Sequence, residues 1–305
     1  MILHGNKKIV IKGEYSMSGK TVVITGASSG FGEIALKAFA DQGYRVWGTM
    51  RDIKKRNANK KTELEAYSPL ITIIDLEVTC DVSVKKCFNE ILKAGPIDIL
   101  INNAGVMYVG ITEAYSVEQA HEIMDANYYG PIRTMQAVLP SMRKAKKGLI
   151  INCSTILGRV TAPFFGTYCA SKHALEAYTQ SLRYEVSPFG VDIAIVEPGP
   201  FPTNLLPANK APTLDHTLDA YGELANAAQG VISYFSGFLK SADAPDPQLV
   251  VDAYLDLAKM PAGKRPTRTV AGIDWGVNQI NAQTQPIQDG ILKGMQLDTV
   301  LKWPN

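Results

Sequence analysis

The chain has 305 residues, 46% of them hydrophobic and 20% charged, with a net charge of +2. That is the composition of a globular protein with enough apolar side chains for a sizeable core, and the near-neutral balance argues against nucleic acid or an anionic membrane surface as partner. No apolar run approaches the ~20 residues of a membrane span, and the polar start lacks the apolar core of a signal peptide. The four cysteines (Cys80, Cys87, Cys153, Cys169) lack metal-ligand spacing, so they read as reduced thiols of a cytoplasmic protein that binds no metal.

In chain order, residues 1–18 read as an N-terminal extension, with Lys8–Lys12 as a candidate short strand. Lys20–Thr25 is a short buried-type strand that runs into Gly26-Ala27-Ser28-Ser29-Gly30-Phe31-Gly32 and then a helix capped at Gly43. Tyr44–Met50 is a second strand, followed by a basic run from Arg51 to Lys61 that reads mostly as a solvated surface. Leu70–Ile74, Ile97–Ile101, Leu149–Cys153 and Val191–Val196 continue the strands, and Asp81–Ala94, Tyr128–Lys144 and Tyr168–Ser187 the helices. Pro140 is expected to bend its helix, and Ser116 with Gln119 forms a capping-box signature. Beyond Pro200 the pattern loosens into prolines and apolar clusters. Asp246-Pro247 then opens a helix over Leu249–Met260, and Arg268–Gly272 is a candidate edge strand. Residues 273–305 form a tail whose structure the pattern does not declare.

Alternating strand and helix require a parallel sheet with helices on both faces, and ligands of such sheets sit beyond the carboxyl ends of the strands. The segments that follow the strands are therefore the candidate site. Glycines in the first such turn let the backbone approach a pyrophosphate at a helix N-terminus. At the end of the second strand an acid would select NAD by its ribose hydroxyls; Met50 stands there instead, followed by Arg51, whose guanidinium suits the 2′-phosphate of NADP(H). Ser28 could add a contact. Tyr168 and Lys172 share one helix face, where a cation favours the phenolate and makes a proton carrier usable near neutral pH.

Thr25-Gly26-Ala27-Ser28-Ser29-Gly30-Phe31-Gly32, Asn102-Asn103-Ala104-Gly105, Asn127, Tyr168-x3-Lys172 and Pro198-Gly199 resemble, in order and spacing, the short-chain dehydrogenase/reductase family over residues 18–204. Thr49-Met50-Arg51-Asp52 and Tyr168–Lys172 are most similar to its 17β-hydroxysteroid/retinol dehydrogenase branch. The resemblance implies an α/β, Rossmann-type doubly wound parallel sheet over residues 19–272, a single domain with a substrate-binding lid near residues 200–245. It also implies hydride transfer between nicotinamide C4 and a carbonyl carbon, with Tyr168 exchanging the proton. Lys172 would lower the Tyr168 pKa and hold the nicotinamide ribose, and Asn127 would anchor a proton-relaying water. The position usually held by a catalytic serine falls on Thr155, with Ser154 as the alternative register. The cofactor would further touch Ser29, Gly30, Phe31, Gly32, Asn103, Ala104, Gly105, Pro198, Gly199 and Thr203. Glu77 before Val78 replaces the usual aspartate, which puts its adenine contact in doubt. Asn102–Gly105 has two jobs, bracing the sheet and lining the cofactor. Homodimers or homotetramers paired through the helices at 128–144 and 168–187 are implied as well.

The expected substrate is a small neutral or lipophilic ketone, aldehyde or alcohol, because Met107, Tyr108, Phe164, Phe165, Phe201, Leu205 and Leu206 offer few charges. The competing readings are a non-catalytic NADP-binding sensor or scaffold, and epimerisation or dehydration on the same fold. A pure binder has no need of the Tyr168–Lys172 pair, and no additional acid or base serves the third.

Overall fold

The computed structural model describes residues 19–299 and 301–304; the candidate strand at Lys8–Lys12 lies outside them. Seven strands, β1 (Thr21–Ile24), β2 (Arg45–Met50), β3 (Ile71–Asp75), β4 (Ile99–Asn102), β5 (Gly148–Cys153), β6 (Val191–Pro198) and β7 (Arg268–Ala271), form one sheet in the order β3-β2-β1-β4-β5-β6-β7. Every pairing is parallel. The central strands are apolar throughout because helices cover both their faces. Val22, Ile24, Ile101 and Ile151 point to one side, and Val23, Leu100, Ile150 and Ile193 to the other.

The first side is closed by α1 (Gly30–Asp41) and α9 (Gln248–Lys259), the second by α3 (Asp81–Ala94), α5 (Gly130–Ala145) and α6 (Gly166–Val186). Strand order reverses between β1 and β4. The crevice above that point is where a doubly wound sheet takes its ligand.

Several local expectations hold at the atomic level. Gly43 follows α1 with φ +82°, and Ser116 and Gln119 close a reciprocal capping box on α4 (Val117–Met124). Asp246 Oδ1 accepts from Gln248 N at 2.8 Å to open α9. A π turn (Asp125–Tyr129) joins α4 to α5, and α5 runs on through Pro140.

Four helices were not visible in the sequence pattern. The basic run contains α2 (Ala58–Tyr67), the loosened region α7 (Asp215–Tyr221) and α8 (Glu223–Phe238), and the tail α10 (Val277–Gly294). None of the described helices is long and apolar enough to cross a membrane.

Candidate active site

The turn after β1 is shaped to admit something against its backbone. Gly26 (φ +70°) and Gly30 (φ +57°) adopt the left-handed conformation that glycine alone takes without strain. A Cβ on Gly26 would lie 2.8 Å from Ala104 Cα, and one on Gly32 would lie 2.2 Å from Gly26 O. Gly32 therefore lets α1 pack under the turn, while Ser28, Ser29, Gly30 and Phe31 face the cleft above it. The turn is held from the next strand. Thr25 Oγ1 accepts from Asn103 N and Ala104 N, both at 3.0 Å, and Asn103 Nδ2 donates to Thr25 O and Gly26 O. Asn102 is a pure brace, buried and bonded to Asn152 and Thr134.

The cleft, about 410 Å³, continues past Ala104 and Gly105 toward Thr155, Tyr168, Lys172, Pro198, Gly199 and Thr203, and in the other direction past Val78 to Met50, Arg51 and Glu77. All the anticipated cofactor residues line it except Gly32, which sits beneath. Arg56, Asn57 and Thr79 line it too; no local pattern singles them out, because Arg56 reads as one more charge of a solvated run. Glycines against a helix N-terminus, donors along a trough and two guanidinium groups at one end fit a nicotinamide dinucleotide. Among the described residues no group of His, Cys, Asp and Glu is placed to hold a metal ion.

At the Arg51 end the arrangement is ionic. Arg51 Nη1 lies 3.2 Å from Glu77 Oε2, with the Arg51 side chain 56% exposed, and Arg56 approaches Asp52 at 3.9 Å. Glu77 is thereby engaged by Arg51, and its other oxygen accepts from Thr79 N at 3.3 Å.

At the other end Tyr168 and Lys172 sit on one face of α6, as their spacing requires. Lys172 Nζ donates to Cys153 O at 2.9 Å. Burial pushes the Tyr168 phenol well above its ordinary range, opposed by the Thr155 hydroxyl beside it. Burial also pulls the Lys172 ammonium down. The expected lowering of Tyr168 by Lys172 is thus not what governs here: the dry pocket disfavours both charged forms, and Lys172 is turned toward a carbonyl.

Thr155 Oγ1 donates to Pro198 O at 3.1 Å and faces the cleft, whereas Ser154 Oγ is buried without a partner. Asn127, on the π turn, is fully buried. Its Oδ1 accepts from Val106 N, and its Nδ2 donates to Val106 O and Ser171 Oγ. Its side chain clamps the segment after Gly105 and has no free donor for a water.

A second cavity of about 290 Å³ opens from the first at Thr155, Tyr168 and Gly199. Its walls are Met107, Phe164, Phe165, Phe201, Leu205 and Leu206, as expected, together with Val231, Phe235 and Leu239 from α8 and its end, and Trp275. Tyr108 is the correction. It is buried against Tyr115 at 5.5 Å and bonded to Glu122, so it supports the wall from behind. Phe164 holds φ +71°, a strained conformation for a bulky residue, of the kind that gathers at functional sites.

A sheet with its ligand crevice at the strand-order switch and a glycine turn at the carboxyl ends of its strands defines a dinucleotide-binding α/β fold. The short chain dehydrogenase family model matches residues 20–213, and the chain belongs to that family. It is 39% identical to bovine retinol dehydrogenase 8 over 187 residues, 60% of each chain, in agreement with the retinol/hydroxysteroid dehydrogenase-like branch. The aligned part thus spans about three fifths of that relative's length. The YusZ oxidoreductase of Bacillus subtilis is 34% identical over 79% of this chain and 85% of its own. A short-chain dehydrogenase from Streptomyces avermitilis superposes with a TM-score of 0.72 at 28% identity, covering 93% of this chain and 98% of that one. Solved structures of the same fold hold NADP in some cases and NAD in others.

Proposed function

We propose that the protein interconverts a lipophilic ketone or aldehyde and its alcohol with NADP(H), Tyr168 being the proton donor and acceptor. One observation carries the reading: Tyr168 and Thr155 stand where the polar cleft meets the apolar pocket. A carbonyl entering from the pocket meets two hydroxyls at that junction, where a nicotinamide held in the cleft would supply or accept the hydride. Tyr168 gives its proton to the carbonyl oxygen in reduction and removes it in oxidation. Lys172, held by Cys153 O, brings positive charge to the oxygen that becomes anionic, and the Thr155 hydroxyl turns from Pro198 O to steady it.

Among the described residues the pocket has no charged side chain in its wall, so affinity comes from apolar burial at roughly 25 cal/mol per Å² and favours a neutral substrate. Arg51 and Arg56, with no acid at Met50, support NADP(H). All four cysteines are free, three of them buried, which suits a cytoplasmic setting.

The test is Tyr168→Phe, assayed by NADPH oxidation across a panel of ketones, aldehydes and steroids. We expect kcat to fall at least about a hundredfold, the scale of a lost general acid, with cofactor affinity near normal. Retention of more than a few per cent of kcat would overturn the assignment.

A further inference from the structure

Behind the wall that carries Thr155 lies a buried ionic cluster that hydride transfer does not use directly. Glu176 follows Lys172 by one turn of α6, so the two side chains share a face. It is 2% exposed, and its Oε2 accepts from Nε of Arg268, in β7, at 2.8 Å. The same Arg268 nitrogen lies 3.5 Å from Oε1 of Glu197, fully buried in β6. Asn281 of α10 donates to Glu197 Oε2 at 2.6 Å, and Arg159 is taken up by Asn281 and Thr284.

Ser154 Oγ, Glu176 Oε1 and Glu197 Oε1 are buried without hydrogen-bond partners. Gly158 leaves room for the first two, since a Cβ there would meet Ser154 Oγ at 2.6 Å and Glu176 Cγ at 3.1 Å. Apolar side chains of similar volume would serve stability at least as well as a buried ion pair. Stability therefore does not account for the cluster.

Lys172 is 6% exposed, and burial favours its neutral form. Two groups oppose that trend, Cys153 and Glu176. Burial pushes the Cys153 thiol up and keeps it neutral, which leaves Glu176 as the charge that counts. Burial and the Glu176 carboxylate beside it push Glu197 above the usual carboxylate range, and of the two acids it is Glu176 that Arg268 meets at hydrogen-bond distance.

The groups facing Glu176 are Lys172 on α6, Ser154 and Arg159 after β5, Glu197 on β6 and Arg268 on β7, with Gln180 bonded to Arg268 and Asn281 of α10 behind Glu197.

We propose that Glu176 is a positioning residue of the active site: its carboxylate, fixed by Arg268, backs the buried Lys172 ammonium one turn away and supports the charge Lys172 carries beside Tyr168. This rests on the roles of Tyr168 and Lys172 given above. In the reduction direction Tyr168 must hold its proton and Lys172 its charge, so the rate falls at alkaline pH. Without the Glu176 charge Lys172 gives up its proton at lower pH, and the alkaline limb moves down.

The test is Glu176→Gln in the full chain, which keeps the shape and a hydrogen bond to Arg268, assayed by NADPH-dependent reduction of a lipophilic ketone from neutral to alkaline pH. We expect kcat to fall about tenfold and the alkaline limb to move down by about one pH unit, with the KM for NADPH within about twofold of the unaltered protein. An unmoved limb, whatever happens to kcat, would overturn the proposal, because a merely structural role shifts the melting temperature and leaves the limb in place.

If Glu176→Gln does not fold, Glu176→Asp, which keeps the buried pair with Arg268 but draws the carboxylate back by one methylene, must move the limb the same way by a smaller amount; an unmoved limb there overturns the proposal equally. Tyr168→Phe assayed alongside separates the two failures. Near-normal activity in Tyr168→Phe refutes the acid–base reading on which the proposal stands, whereas an inactive Tyr168→Phe with an unmoved limb in Glu176→Gln refutes this inference alone.

Discussion

Thr155, like Glu77, is a residue on which the family pattern and this chain part company. Its hydroxyl can donate the hydrogen bond that a serine would, but the β-branch restricts χ1, and here the hydroxyl already donates to Pro198 O. Thr155→Ser should keep or raise kcat, whereas Thr155→Val, which keeps the shape and loses the donor, should lose most of it, on the order of a hundredfold for one oxyanion donor. If Thr155→Val turns over normally and Ser154→Ala is dead, the register is off by one. Cofactor choice is decided at the same scale. The pairs Arg51–Glu77 and Arg56–Asp52 are exposed and contribute only about 0–1 kcal/mol each, while a hydrogen bond to a charged phosphate contributes about 1.5–3 kcal/mol. A 2′-phosphate is therefore expected to win the guanidinium from Glu77. NADPH should bind tighter than NADH by one to two orders of magnitude, roughly 1.4–3 kcal/mol. Arg51→Ala should weaken NADPH alone, and Met50→Asp should reverse the order by adding a hydroxyl acceptor and repelling the phosphate. Equal dissociation constants for the two cofactors in the unaltered protein would show that Arg51 stays with Glu77.

Among the elements, α8 is the one attached to the molecule mainly through the pocket it covers. Only Ala228 of it is buried, while Val231 and Phe235, with Leu239 just beyond the helix end, follow one another at four-residue intervals into the apolar cavity. Phe235 stacks edge-on against Phe165 and tilts against Trp275, each at 6.3 Å. Such pairs contribute about 0.5–1.5 kcal/mol each beyond buried area, so Phe235→Ala should raise the KM for a lipophilic ketone by roughly tenfold and leave NADPH binding untouched. A KM that stays put in steady-state assays would mean the substrate does not reach α8. The same helix shows what a sequence withholds. The strands of a parallel sheet announce themselves as continuous apolar runs, and the glycine turn and the Tyr168–Lys172 pair are each contained within a few residues. In α2, α8 and α10 the described buried residues are Leu64, Ala228 and Val277, one apiece, so they carry little of the periodic stripe that marks a helix packed on a core. Trp275 and Arg56 reach the site, and Glu176 meets Arg268 across 92 residues of chain, only because the sheet brings distant strand ends together. No local pattern encodes that.

At the scale of the whole molecule, the sheet positions the chemistry at one end and leaves the flanks of α5 and α6 open. On α6, Ala170, Ala174, Ala177 and Ser181 recur at intervals of three and four residues and are exposed or half-buried, opposite the face that carries Lys172 and Glu176 inward. On α5, Gln136, Ala137 and Pro140 are likewise exposed or half-buried, Pro140 lying four residues from the first and three from the second. Small side chains let helices approach to the short end of the 8–10 Å interaxial range typical of packed pairs, and burying such a surface against its own copy makes a self-complementary interface. The protein should therefore be a homodimer, or a homotetramer if a second face joins. Light scattering at micromolar concentration should give twice or four times the chain mass. Ala177→Arg puts a charge and a long side chain into the centre of that face without touching the core, so it should reduce the mass by half while the melting transition stays cooperative. The catalytic side of α6 is the inner one, so a dimer of this kind leaves the cleft open on each protomer. A monomer in the unaltered protein, or an Ala177→Arg variant with undiminished mass, would place the contact elsewhere on the surface.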